Sequence, residues 1–145
     1  MIRKAGKNDA AIVAGLAVLM WNDSSVEELI NDFARISCSE DAQVFLIYEE
    51  DIPVGFAQCQ LRHDYVEGTE TSPVGYLEGI FIKEGYRHQG YARKLLYECE
   101  KWALEKGCTE FASDCETDNG ISLQFHIAAG FTEANRIICF VKKLK

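Results

Sequence analysis

Tyr86-Arg87-His88-Gln89-Gly90-Tyr91-Ala92 joins a strand-like run to an amphipathic helix, and the reading of this turn decides the fold. Before it, Val74 to Ile82 is rich in β-branched and aromatic residues, the composition of a strand. After it, Ala92, Leu95, Leu96, Cys99, Trp102 and Ala103 fall at i, i+3, i+4, i+7 spacing, an apolar helical stripe. A helix N-terminus presents N–H groups without acceptors and the positive end of the macrodipole, so this turn is fitted to hold a phosphate. Gly90 lets backbone approach such a ligand, and Ala92 keeps the first helical turn uncrowded. Neither G-x-x-x-x-G-K-[ST] nor G-x-G-x-x-G occurs in the chain, so this is not one of the standard nucleotide loops.

Working outward, the spacing predicts an alternating order. A short strand at about Ile2 to Ala5 precedes a helix capped by Asn8 or Asp9. A second helix starts at Ser24-Ser25, where Ser24-x-x-Glu27 and Ser25-x-x-Glu28 both read as capping boxes. Gln43 to Tyr48 and Ile52 to Arg62 form an antiparallel hairpin about Glu49-Glu50-Asp51. Asp64 to Pro73 is a polar loop. The strand ending near Ile82, the long helix closing at Gly107 and a strand from Cys108 to Asp114 follow. A shorter helix runs from Asn119 to Gly130, and a last strand from about Asn135 to Lys142. No repeat or linker interrupts residues 1–145, which read as one domain. A helix joining neighbouring strands forces them parallel with a right-handed crossover, so the strands ending near Ile82 and Asp114 share a direction. Gly79 inside a strand signals a bulge or a close approach of another group. A bend there frees the backbone of Ile80, Phe81 and Ile82 to pair with a ligand's amides, as a peptide adds to a sheet edge.

Composition narrows the class. A chain of 145 residues buries about two-thirds of its unfolded surface and needs no covalent staples. Its 48% hydrophobic and 26% charged residues are ordinary globular values. The first residues do not read as a signal peptide, and the apolar run Ala10 to Trp21 is too short to span a bilayer. The six cysteines, Cys38, Cys59, Cys99, Cys108, Cys115 and Cys139, have no C-x-x-C spacing, and only three histidines accompany them. They read as small buried hydrophobes in a reducing, cytoplasmic compartment, with no metal site. A net charge of −8 argues against nucleic-acid and anionic membrane partners. Asp64, Glu67, Glu70 and Glu78, then Asp114, Glu116 and Asp118, flank the two strands nearest the turn and favour a cationic partner.

The pattern Arg87-x-x-Gly90-x-Ala92 resembles the pyrophosphate-binding motif of the GCN5-related N-acetyltransferase (GNAT) superfamily. The order β-α-α-β-β-β-α-β-α-β matches its fold, an α/β architecture with a mixed central sheet flanked by helices. His63-Asp64-Tyr65-Val66-Glu67-Gly68, Thr71-Ser72-Pro73-Val74, Leu77-Glu78-Gly79-Ile80, Ala112-Ser113-Asp114 and Gly130-Phe131 resemble the bacterial aminoglycoside 6′-N-acetyltransferases of the homodimeric type. The resemblance implies acetyl-CoA as co-substrate, an aminoglycoside as acceptor, and a homodimer. It implies that Ile80, Phe81 and Ile82 hold the pantetheine. Arg87, His88, Gln89, Gly90, Tyr91, Ala92 and Arg93 would hold the pyrophosphate, and Asn119 would contact the cofactor arm. Trp21, Tyr65, Glu78 and Asp114 match aminoglycoside-contacting positions. Asn135 stands where the family usually carries an acidic residue, which removes one partner for a cationic substrate.

The residue types suit the chemistry. An alkylammonium, with a pKa of about 10, must lose a proton before it attacks a thioester, and a carboxylate in reach can accept that proton. By strict alternation Glu78 shares a face with Tyr76, Ile80 and Ile82, where apolar neighbours would raise its pKa. Glu78 is then a base or a positioning group for the 6′-amine, and Asp114 a second cation site. The leaving thiolate needs stabilisation or a proton. His126 occupies the helix position where most of the superfamily has a tyrosine, and reads either as a helix histidine packed on the sheet or as a general acid. Two alternatives stay open: an acetyltransferase for a polyamine or peptide amine, and a weakly catalytic acetyl-CoA-binding module.

Overall fold

In the computed structural model, which describes residues 1–145, five strands form one sheet in chain order. They are β1 (Ile2–Lys4), β2 (Ala42–Glu49), β3 (Ile52–Arg62), β4 (Val74–Ile82) and β5 (Phe111–Ala112). Four helices accompany them: α1 (Ala10–Ala17) and α2 (Val26–Ile36) between β1 and β2, α3 (Tyr91–Glu105) between β4 and β5, and α4 (Gly120–Ala128) after β5. β1 to β4 pair antiparallel and β4 pairs parallel with β5, so the sheet is mixed as expected.

Local chemistry sets most boundaries. Ser25 caps α2 by accepting the Glu28 N–H at 3.2 Å, so of the two expected capping positions Ser25 is the one used, through its side-chain bond alone. Asn119 caps α4 by accepting the Ser122 N–H at 3.1 Å. Asp9 precedes α1 without capping it, because its carboxylate is committed to Arg3 at 2.8 Å and to the Gly6 N–H at 2.7 Å. Gly107 and Gly130, both at positive φ, stand just beyond α3 and α4.

The sheet buries a different helix layer on each face. Leu95, Leu96, Cys99, Trp102 and Ala103 of α3 pack with Phe45, Ala57, Cys59, Leu77 and Ile82. Val13, Ala14 and Ala17 of α1, with Leu29 and Phe33 of α2, pack with Val44, Leu46 and Phe56 on the other face. Each Val, Leu, Ile or Phe among them, fully buried, contributes about 1.5–3 kcal/mol. Cys59, Cys99 and Cys108 are buried as small hydrophobes, whereas Cys38 and Cys139, expected to be buried with them, are exposed; no cysteine is in a disulfide. No helix is long and apolar enough to cross a membrane.

Two expected strands are corrected. β5 covers only Phe111–Ala112 of the expected Cys108 to Asp114, with one further bond from the Gly75 N–H to the Glu110 carbonyl at 3.1 Å. The expected strand from Asn135 to Lys142 does not form, and residues 131–145 carry neither helix nor strand. The run Ile137-Ile138-Cys139-Phe140-Val141 is apolar on both faces, which a strand tolerates only when covered on both sides. No other segment of the chain covers it, and Phe140 and Val141 are 91% and 94% exposed.

Candidate active site

The site is organised by a bulge in β4. Leu77 stands opposite Cys59 and Gly79 opposite Gln58, leaving Glu78 as an extra residue with no partner across the ladder. The extra residue shifts the alternation by one. Leu77, Ile80 and Ile82 therefore pack on the α3 face, while Phe81 packs on the α1–α2 face. The expected shared face of Glu78, Ile80 and Ile82 is corrected by this shift, whereas Glu78 and Tyr76 do lie together about Arg62. Gly79 also meets its second expectation, since the Trp21 indole lies against it, 2.7 Å from where a Cβ would stand. Trp21 itself is half-buried in an aromatic group with Phe33 and Phe56, at centroid distances of 6.4 and 6.0 Å.

Beyond the bulge the sheet opens. β5 pairs with β4 only at Gly75 and Tyr76, so the strand from Leu77 to Ile82 has no partner on its β5 side. β4 is buried through Leu77 and half-buried from Glu78 to Phe81. The gap leads to the turn before α3. There Gly90 is left-handed at φ +81° as the N-cap of α3, and His88 is left-handed at φ +65°. Two positive-φ residues astride Gln89 gather backbone N–H groups at the helix N-terminus, a geometry suited to anions. Lys83, Arg87, Arg93 and Lys94 fall within or close beside this turn in sequence, in a chain whose net charge is −8. Arg87 ties the turn to β4, donating from Nε to the Ile82 carbonyl at 2.8 Å. The Tyr91 hydroxyl is turned away to Glu49, at 3.1 Å, so Tyr91 offers the turn only its backbone.

On the other side of Glu78 lies a charged and aromatic cluster. Arg62 of β3 donates from Nε and Nη2 to the two oxygens of Glu78, at 3.1 and 2.9 Å. Its guanidinium sits 3.5 Å from the centroid of the Tyr76 ring, and the Tyr76 hydroxyl donates to Asp114. Burial, and then the bond to Asp114, push the Tyr76 phenol well above its usual range. Glu78 is thus an ion-paired carboxylate rather than one among apolar neighbours. Asp114, two residues past β5, is exposed. A cleft of about 1000 Å³ runs past Arg62, Tyr65, Tyr76, Asp114, His126 and Asn135. Tyr65 is 76% exposed on its rim, in a loop that Glu110 anchors by accepting the N–H groups of Glu70 and Thr71 at 2.9 and 2.8 Å. Asn135 donates to Glu67 at 3.0 Å. Asn119 is spent in part as the α4 cap, its side-chain oxygen accepting from Ser122.

His126 is held on both ring nitrogens. Nδ1 stands 2.7 Å from the Ser122 carbonyl, which can only accept, so Nδ1 carries the proton. Nε2 then accepts from the Ser113 hydroxyl at 2.7 Å when the ring is neutral. The ring also packs on Phe131 at 5.1 Å and Phe125 at 5.6 Å. Arg62, Tyr76, Ser113 and Glu110 are the site residues that sequence reasoning missed. Their partners lie 16, 38, 13 and 39–40 positions away, and only strand register could have indicated the first two.

A mixed sheet opened between parallel strands, with a glycine-initiated helix behind the gap and carboxylates beside it, defines the acyl-CoA N-acyltransferase class. The acetyltransferase (GNAT) family profile matches residues 12–131. An aminoglycoside N(6′)-acetyltransferase type 1 of Salmonella enteritidis is 34% identical over 142 residues, covering 98% of both chains. That of Stenotrophomonas maltophilia is 39% identical over 142 residues, 96% of this chain and 90% of that protein. The solved structure of AAC(6′)-Iy in complex with the bisubstrate analog CoA-S-monomethyl-acetylneamine superposes with a TM-score of 0.94 at 34% identity, covering 99% of this chain and 97% of that chain. The chain belongs to the GNAT acetyltransferase family.

Proposed function

We propose that the protein is an aminoglycoside 6′-N-acetyltransferase, moving acetyl from acetyl-CoA to the 6′-amine of the antibiotic and so conferring resistance. The observation that carries this reading is the opened β4 edge, with the anion-suited turn of α3 at one end and Glu78 and Asp114 at the other. The activity by which the relatives are named and the CoA-based ligand of the matching structure support it. The β5-side edge of β4 at Ile80, Phe81 and Ile82, left open beyond Tyr76, is fitted to the amides of pantetheine, and the N–H groups of Tyr91, Ala92 and Arg93, with the His88–Gly90 turn, to the pyrophosphate. Bound acetyl-CoA supplies the activated thioester. Glu78 and Asp114 attract and orient the ammonium groups of the acceptor. The attacking amine sheds its proton to Glu78, directly or through water. Tyr65 and Trp21 are read as walls of the acceptor site, with Tyr65 reaching the cleft and Trp21 backing Gly79.

The assembly that the chain's end supports is a homodimer. Ile137, Ile138, Phe140 and Val141 are exposed side by side, and Ile137 and Cys139 line the cleft beside Phe111. A second copy covering them would remove an apolar surface that a monomer leaves in water. Sedimentation should find a dimer, and Phe140→Ser should weaken it. The three buried unpaired thiols support residence in a reducing, cytoplasmic compartment.

Acetyl transfer followed by mass spectrometry tests the activity without interference from the cysteines. Kanamycin should gain a single acetyl group, and an analogue with a 6′-hydroxyl should gain none. Transfer to spermidine alone would move the acceptor to another polycationic amine. Tight CoA binding without turnover would leave a binding module.

A further inference from the structure

Arg62 already fills the place that a substrate cation would take. Its guanidinium edge engages both oxygens of Glu78, at 3.1 and 2.9 Å. One face covers the Tyr76 ring at 3.5 Å, and Asp114 lies just beyond, bonded to the Tyr76 hydroxyl. Carboxylates beside an aromatic face are what an alkylammonium seeks. Glu78 and Asp114 bring two negative charges and Arg62 returns one, so the cluster carries a net charge of −1. Each oxygen of Glu78 keeps a second lone pair, so an ammonium can still dock, but on a carboxylate that is already neutralised.

The pair is not a deep structural core. Arg62 and Glu78 side chains are 39% and 19% exposed, and both border solvent at the bulge. A partly exposed ion pair contributes modestly to stability. A fixed positive charge beside the docking point of a polycation acts instead on affinity.

We propose that Arg62 is a specificity-determining residue, an internal cation that competes with substrate ammonium groups for Glu78 and Asp114. It lowers affinity for polycations and limits how many ammonium groups the site accepts at once. The inference rests on the reading of this cleft as an amine-acceptor site and deepens it. Arg62 competes with the acceptor for its carboxylates, so its signature is a change in KM and Kd that grows with the number of ammonium groups on the acceptor.

Calorimetric titration of kanamycin and of spermidine into the wild type, Arg62→Gln and Arg62→Lys tests it. Arg62→Gln removes the charge and is expected to bind kanamycin about tenfold tighter, a figure reduced for solvent screening. The gain should grow with the number of ammonium groups and shrink in high salt. Arg62→Lys keeps the charge and should stay near the wild type. The KM for kanamycin should fall in Arg62→Gln while CoA affinity is unchanged. Equal or weaker binding by Arg62→Gln would overturn the proposal, since Arg62 would then order Glu78 instead of competing for it. A measurement on the wild type alone guards against misfolding of the variant. The Arg62 Nε–H should exchange faster with solvent once kanamycin is bound, and unchanged exchange on a saturated protein counts against competition. Failure of the wild type to acetylate kanamycin would defeat the functional reading only, because the affinity ratio still reads the competition. Absence of binding to any of the three proteins would overturn both.

Discussion

The indole of Trp21 lies against the backbone at Gly79, with Cζ2 and Cη2 at 2.7 and 2.8 Å from the position of a missing Cβ. The bulge at Glu78 turns the strand so that this residue faces α1 and α2, and Phe33 and Phe56 hold the indole in place. A ring held on two sides cannot step aside at low cost. Gly79→Ala is therefore expected to overpack the contact and cost about 1–3 kcal/mol, lowering Tm by roughly 3–10 °C. A thermal melt checks it, and an unchanged Tm would mean that the indole moves freely.

Gly90 illustrates the opposite case. Nothing lies within 4 Å of its missing Cβ, and the constraint is its backbone at φ +81°. Gly90→Ala should cost about 1–2 kcal/mol from the left-handed conformation alone, with CoA affinity falling as the turn relaxes. Gly90→Asn, which tolerates that conformation, should recover most of both. Urea unfolding and CoA titration of the two variants separate backbone strain from lost space. Equal damage from both substitutions would argue that the ligand needs the absence of a side chain.

These two glycines also mark what the sequence reveals. The turn before α3 was legible because each of its determinants is local: a strand-like run, a glycine, then an apolar stripe. The caps at Ser25 and Asn119 and the parallel β4–β5 pair followed from the same short-range signals. The face of Glu78 was not legible, because one extra residue at the bulge inverts the alternation of everything after it. Arg62 was invisible for a related reason, since its meeting with Glu78 depends on the register of β3 against β4. The apolar run from Ile137 to Val141 carries the composition of a strand, yet pairing needs a neighbour, and β5 is only two residues long.

Stability should fall in acid through Asp9. Its carboxylate accepts from Arg3 and from the Gly6 N–H, and the Arg3 hydrogen bond is the main reason its pKa is pulled down to about 2 from 3.8. A carboxyl with a depressed folded-state pKa stabilises the fold fully above its unfolded value. That contribution is lost as pH drops from about 4 toward 2. Solvent at Arg3, whose side chain is 39% exposed, limits the effect to about 1–2 kcal/mol. Asp9→Asn should be less stable than the wild type at pH 7 by that amount, and the difference should shrink toward pH 2. Denaturant unfolding across this range checks it, and a difference that stays constant with pH would assign the loss to packing.

His126 lies against Phe125 and Phe131 and is bonded at Nδ1 to the Ser122 carbonyl and at Nε2 to Ser113. Both nitrogens are thus engaged within the protein, and a proton leaving Nε2 would first meet the Ser113 hydroxyl. The arrangement favours a histidine that fastens α4 to the end of β5. His126→Ala is expected to lower kcat by less than about fivefold, against the 10²–10⁴ that general acid catalysis contributes. Ser113→Ala should behave alike, and both should lower Tm. A loss of a hundredfold or more in kcat for both variants, with KM unchanged, would instead make the Ser113–His126 pair the route by which the departing thiolate receives its proton.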